Sequence, residues 1–427
     1  MHFENTLEFA ALLDAEDKLN KFQSRFYFPQ HNNEPVVYFT GNSLGLQPKT
    51  AQDYIQQELN DWAKFGVEGH FDAKNPWFSY HEMFAEPLAK LVGALPSEVV
   101  AMNALTVNLH LLMASFYQPK GKRTKILTEA KAFPSDQYAV ASQIQFHGLS
   151  VAENLIEVAP REAEYLIRED DIIATIEKYK DELALVMIGG VNYFTGQFFD
   201  LKKIREASHQ VGAFCGFDLA HAAGNVELKL HEWNVDFACW CSYKYLNSGP
   251  GGVSGIFVHQ KHHQNNTLPK LAGWWGQNKS TRFLMEKDFD PIPSAESWQL
   301  SNAPVISMAV HKASLDIFME AGFENLINKS VQLTSYLEFI LIDINQTLFK
   351  GEEKLKIITP SEQSKRGCQL SIVADGMGKS LFNLLSKNGI IADWREPNVI
   401  RVAPVPLYNS FYDCWKFGNI LSKILHS

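Results

Sequence analysis

Three side chains interrupt apolar runs where chemistry could sit: Asp136 after KILTEAKAFPS, Asp218 in GFDLA and Lys244 in CWCSYKY. In open parallel sheets, ligands gather beyond the carboxyl ends of the strands, so polar residues that stop such strands are the ones to inspect. A lysine can form an imine with an aldehyde, and a carboxylate can keep a pyridine nitrogen protonated so that the ring accepts an electron pair; together these are the requirements of pyridoxal phosphate. Asp218 is the candidate partner of the ring nitrogen and Lys244 the candidate amine. A phosphate is best cradled where a helix begins. The run NALTVNLHLLMASFY (103–117) offers such a start, with Thr106 placed to cap it and to touch an anion. Phe133 in AKAFPSD offers an aromatic face.

Each of these residues also has an ordinary reading. A lone lysine is a solvated side chain, a strand-end aspartate a turn or cap residue, Thr106 a helix cap, and His221 a satisfied core histidine. Lys244 departs from that pattern because it lies between Tyr243 and Tyr245 at the end of an apolar run and precedes NSGPGGVSG.

The elements that would position these groups are legible in the middle of the chain. Buried strands are expected at 125–130, 155–159, 183–190, 213–220, 236–246 and 255–259. Helices alternate with them: SDQYAVASQIQFHG, capped by Ser135 or Asp136, then 170–182 and 201–212. Continuous apolar strands alternating with amphipathic helices predict an α/β fold with a mostly parallel sheet covered on both faces. After about residue 300 the pattern changes to long helices over 309–348 and separate strands at 355–359, 368–374 and 399–403. This predicts a large α/β domain over 71–305 and a smaller α+β domain over 306–427, with residues 1–70 packing against the smaller one.

Composition narrows the function classes. A net charge of −9 from interspersed acids leaves no basic stripe for nucleic acid. No apolar run approaches the roughly 18 residues of a membrane span. The amino terminus lacks the basic-then-apolar order of a secretion signal, and five scattered cysteines suggest neither a disulfide framework nor a metal site. A cytoplasmic protein with a small-molecule partner and no metal is expected.

Several motif matches lack their context. Gly41-Asn42-Ser43-Leu44-Gly45 fits the G-x-S-x-G nucleophile elbow, yet follows only one plausible strand and runs into Pro48. GPGGVSG carries Ser254 where a dinucleotide fingerprint needs glycine, and Gly378-Lys379-Ser380 lacks the leading glycine of a phosphate loop. His262-His263 reads as part of a polar surface loop.

Longer strings resemble the kynureninase family: YFTGNSLGLQPK (38–49), MNALTVNLHLLM (102–113), EAKAFPSDQYA (129–139), GFDLAHAAGNVELKLHEWNVDFACWCSYKYLNSGPGG (216–252), GWWG (273–276), STRF (280–283) and VIRVAPVPLYNSF (399–411). The resemblance spans nearly the whole chain and implies a fold type I pyridoxal-phosphate enzyme that hydrolyses kynurenine and 3-hydroxykynurenine. It makes Lys244 the Schiff-base lysine, Asp218 the ring-nitrogen partner and Phe133 the stacking ring. Leu105, Thr106, Pro134, Ser135, Asp136, His221 and Tyr243 would complete the cofactor shell, with Tyr243 also a proton carrier. Trp274 and Asn302 match positions that reach the neighbouring subunit's site, which implies a homodimer with composite sites. Arg401 matches the arginine that grips the substrate α-carboxylate, while Ser43, His70, Ser301 and Asn302 match the shell around the substrate ring. That polar group implies a preference for 3-hydroxykynurenine and a place on the route from tryptophan to quinolinate and NAD. One departure is Gly189, where relatives commonly carry a serine that contacts the cofactor. The alternative is another enzyme of the same fold, such as a cysteine desulfurase or an aminotransferase; a non-catalytic sensor is disfavoured because no DNA-binding region is attached.

Overall fold

The computed structural model describes residues 2–265 and 267–426. Its centre is a seven-stranded sheet in the order Val99–Ala101, Gly255–Val258, Phe237–Trp240, Phe214–Asp218, Leu183–Gly189, Lys125–Glu129, Leu155–Val158. Only Gly255–Val258 runs against its two neighbours; the other pairings are parallel.

The strands are apolar throughout because both faces are covered. Leu127, Val186, Ile188, Ala238 and Phe257 point to one core, while Ile126, Leu185, Met187, Cys239 and Ile256 point to the other. Helices Leu105–Phe116 and Pro134–Phe146 cover the second face through Leu109, Leu112, Phe116, Val140 and Ile144. Helices Glu169–Lys178 and Leu201–Gln210 cover the first through Ile172, Ile176 and Ile204. Each such fully buried side chain contributes roughly 1.5–3 kcal/mol relative to exposure.

A second core surrounds an antiparallel sheet in the order Leu355–Ile357, Leu370–Ala374, Val399–Val402, Asp393–Arg395. The long helix Phe323–Leu348 and the helix Phe411–His426 pack on it. The first residues of the chain serve both cores. Ala10, Leu13, Val37 and Phe39 join the smaller one, and Val37–Tyr38 pairs in parallel with Ile390–Ile391. Leu19, Phe22, Phe26 and Leu46 join the larger. Helix Val305–Ala321 also packs into the larger core, through Met308, Leu315 and Phe318.

Four local expectations are corrected. Helix Pro134–Phe146 begins two residues earlier than a Ser135 cap would allow and three earlier than an Asp136 cap, because Pro134, which lacks an amide hydrogen to satisfy, fills its first position. Thr106 lies in the first turn of Leu105–Phe116, after Ala104, and makes no cap bond. The strand expected over 236–246 stops at Trp240, so that the chain can loop back and pair antiparallel as Gly255–Val258. His262 and His263 are buried; they bond Asp236 and the Val258 carbonyl, at 2.9 Å in each case.

Candidate active site

Three adjacent parallel strands end side by side in Glu129, Gly189 and Asp218. Lys244 hangs over these ends from the loop that follows Trp240. Together they border a cavity of about 230 Å³, also lined by Leu105, Thr106, Phe133, Ser135, Asp136, Tyr193, His221 and Tyr243. Of the residues expected to hold the cofactor, Pro134, Trp274 and Asn302 are not among this lining.

Local packing fixes the lysine. The Gly45 amide donates to the Tyr243 carbonyl at 2.8 Å, and a Cβ on Gly45 would stand 2.4 Å from the Lys244 carbonyl oxygen. A Cβ on Gly41 would likewise meet the Tyr408 hydroxyl at 2.3 Å. The two glycines of the elbow-like motif are therefore there for close approach to neighbouring chain, Gly45 to the lysine loop itself. Lys244 Nζ lies 2.9 Å from His221 Nε2 and 5.8 Å from the centre of the Phe133 ring.

The electrostatics are unbalanced. Burial raises the Asp218 carboxyl, against hydrogen bonds from Asp136 and the Ala220 amide and the charge of Lys244. Burial and the Asp218 charge push Asp136 well above its ordinary range. The two carboxyls share a hydrogen bond and act as one unit that retains a proton. Burial pushes Glu129 up to about 7. Burial, then the neighbouring Lys244 charge, holds His221 neutral, so its Nε2 is free to accept from the amine. Burial also raises the Tyr243 hydroxyl, which stays protonated.

The residues fit pyridoxal phosphate. A reachable amine, a buried carboxylate pair, an aromatic face and a helix N-terminus open on one ring-sized space. His221 Nδ1 is buried with no hydrogen-bond partner among the described residues, as expected for a group awaiting a ligand.

Arg401 is fully buried beside this site. Its guanidinium donates to the Tyr193 carbonyl at 2.6 Å and pairs with Asp393, and its Nε has no hydrogen-bond partner among the described residues. The remaining substrate residues are dispersed within the chain. Ser43, Ser301 and Asn302 are exposed. His70 bonds the Val67 carbonyl at 2.9 Å and sets its ring edge-on to Trp77. Trp274 is about half exposed, its indole N–H held by the Arg282 carbonyl at 3.0 Å. Glu129 and Tyr193 escaped the sequence reading, although Glu129 ends an apolar strand just as Asp218 does.

Fold and site together define a pyridoxal-phosphate enzyme of fold type I. The backbone superimposes on a cysteine desulfurase of Escherichia coli with a TM-score of 0.75 at 16% identity, covering 96% of this chain and 98% of that one. Residues 326–421 match the model of the kynureninase C-terminal domain. The chain is 58% identical over 423 residues to a kynureninase of Flavobacterium psychrophilum, 99% of each chain being covered. Against a mouse kynureninase the identity is 48%, over 98% of this chain and 93% of the other. The chain belongs to the kynureninase family, enzymes of the hydrolase class with pyridoxal phosphate as cofactor. That sets aside the cysteine desulfurase and aminotransferase alternatives. Among the described residues, no helix is long and apolar enough to cross a membrane.

Proposed function

We propose that this chain hydrolyses the Cβ–Cγ bond of L-kynurenine and 3-hydroxy-L-kynurenine, giving anthranilate or 3-hydroxyanthranilate and L-alanine. The observation that carries this reading is the Lys244–His221 contact of 2.9 Å in a cavity shared with Asp218, in a chain of this family. When bound, pyridoxal phosphate supplies an electrophilic carbon for an amine and a ring that accepts the electron pair released at the α-carbon. Asp218 holds a proton at the ring nitrogen. Lys244 Nζ, steered by neutral His221, removes the α-proton. Water adds at the side-chain carbonyl, and the hydrated carbon leaves as the anthranilate carboxylate. The Tyr243 hydroxyl gives a proton to the β-carbon and recovers one from the hydrate's hydroxyl, and Lys244 returns the α-proton, completing alanine. Arg401 receives the substrate α-carboxylate, for which a planar fork is suited.

The ring end of the substrate is assigned to Ser43, His70, Ser301 and Asn302, with Trp274 and Asn302 supplied by a second copy of the chain. The exposure of Ser43, Trp274, Ser301 and Asn302 in the single chain supports that reading. So does an apolar groove of about 1060 Å³ along the 44–48 loop, the 247–252 loop and the start of helix Val305–Ala321, a face suited to a second copy. A site that pairs a ring hydroxyl rejects the analogue lacking it, so 3-hydroxykynurenine is preferred. A cytoplasmic role on the route from tryptophan to quinolinate and NAD follows. The division into domains at 71–305 and 306–427 is part of the same reading, with helix Val305–Ala321 packing back into the larger core.

Purified protein given pyridoxal phosphate and either substrate is expected to release the fluorescent anthranilate and alanine in equal amounts. Alanine without anthranilate would overturn the reaction, and a higher kcat/KM for plain kynurenine would overturn the preference. Mixing inactive Lys244→Ala and Trp274→Ala chains is expected to restore part of the activity through mixed dimers; no recovery would remove the shared site.

A further inference from the structure

The proposed mechanism uses Asp218, to which Asp136 is hydrogen-bonded, but gives no part to the third buried acid of the cavity, Glu129. Glu129 ends its strand 4% exposed, and among the described residues it makes no ion pair. Both of its carboxylate oxygens accept from the Gly189 amide, at 3.0 and 3.3 Å. Gly189 is in turn the ladder partner of Asp218, and the Gly190 amide donates to the Asp218 carbonyl at 2.7 Å. Glu129 thus holds the end of the strand against which Asp218 is registered.

The placement depends on the missing side chain at 189. A Cβ there would lie 2.8 Å from Glu129 Oε1, and essentially no real contact is that close. The groups facing the acid are Asp136 on one helix, Asp218 at the strand end beyond Gly189, and Lys244, His221 and Tyr243 on the same cavity. Three carboxylates therefore line one small cavity in which Lys244 supplies the cation. Like charges so placed cannot all ionise.

We propose that Glu129 is a positioning residue that holds a proton in the empty cofactor pocket and gives it up when pyridoxal phosphate enters, so that cofactor affinity is tuned by pH through this side chain. The direction follows from charge. A ring nitrogen protonated beside Asp218 would put its positive charge among these carboxylates, while the phosphate's negative charge would be met at the start of helix Leu105–Phe116, so that the cation beside the acids favours the ionised form of Glu129. Burial keeps the empty-pocket value near 7, against an ordinary 4.5. Binding then releases a proton from Glu129, and the cofactor is held more tightly as pH rises through neutrality. The inference rests on pyridoxal phosphate being the cofactor.

The test uses the whole chain stripped of cofactor and titrated with pyridoxal phosphate by absorbance from pH 6 to 8. The ratio of dissociation constants, Glu129→Gln over wild type, cancels the cofactor's own ionisations. It is expected to change by about threefold to tenfold across that range, one linked proton giving at most about tenfold per pH unit. Glu129→Asp, which keeps the acid, should restore a pH-dependent profile. A second readout needs no cofactor. Because the folded value lies above the unfolded one, Glu129 favours folding below about 4.5 and loses that advantage as pH rises towards about 7. The melting temperature of stripped wild type minus that of Glu129→Gln should therefore fall over this window. Gly189→Ala, which crowds Oε1, should distort the same profile if Glu129→Gln fails to fold. A ratio independent of pH, with Gln and Asp variants alike, would make Glu129 merely structural and overturn the proposal. Wild type that does not bind pyridoxal phosphate at all would instead overturn the assigned cofactor.

Discussion

The two ends of the large sheet treat buried acids in opposite ways. At the carboxyl ends of the strands, Glu129, Asp136 and Asp218 are all pushed up by burial, with Lys244 as the cation among them. At the other end, just before strand Phe237–Trp240, burial also opposes ionisation of Asp236. There, however, hydrogen bonds from His209 and His262 and the charge of Lys261 overcome it and hold the carboxyl far below its ordinary value. Asp236 further accepts from the Cys215 amide at 2.8 Å. Around Asp236 the acid is electrostatically satisfied; at the other end unmet charge remains, the usual mark of a site prepared for a ligand. The difference is one of partners, since burial is similar at both.

Substitutions can break this contrast. Lys244→Ala should cause the largest change, lowering turnover by at least about a thousandfold because it removes the proposed base. Loss smaller than tenfold in a coupled alanine assay would contradict it. Asp218→Asn comes next, with a loss on the order of a hundredfold in kcat, as for an electrostatic partner of developing charge. Its stability in urea should be unchanged or higher, since a desolvated acid has been removed.

Asp236→Asn should do the reverse. Turnover stays within about twofold, while unfolding free energy falls by about 3 kcal/mol as cationic neighbours lose their counter-charge. With the folded value below the unfolded one, this stabilisation is fully present above about 3.8 and fades as pH falls further. Acid unfolding of the variant should accordingly show a shallower pH slope than wild type. The smallest effect is expected for His262→Gln, about 1 kcal/mol in urea from one weakened bond to a charged acceptor. A loss of activity there exceeding that of Asp218→Asn would erase the distinction between the two ends.

The alternation of buried strands and helices was legible because both sheet faces are covered, which leaves long uninterrupted apolar runs such as LALVMIG. Lys244 and Asp218 were legible as polar residues at the ends of such runs. Glu129 met the same criterion but was absorbed into its strand, since nothing local reveals that Gly189, 60 residues on, donates to it. The His262–Asp236 contact was unreadable for a similar reason: the polar HQKHHQNN stretch gives no hint that a strand-start acid will draw it inward. Cap positions failed at Thr106 and at Ser135 because proline and backbone geometry, rather than hydroxyl chemistry, start those helices.

The smaller core is closed by segments from opposite ends of the polypeptide. Asp14 accepts from the Phe411 and Tyr412 amides at 2.8 and 2.9 Å and so caps the helix Phe411–His426, Lys329 pairs with buried Asp17 at 2.7 Å, and Val37–Tyr38 lies along Ile390–Ile391. During vectorial synthesis, residues 10–17 and 37–39 must therefore wait for residues 329–412 to be made before they find these permanent neighbours. The large sheet, whose strands all precede residue 259, can assemble on the ribosome long before that. Late clasping of this kind leaves the nascent amino-terminal arm dependent on shielding until release.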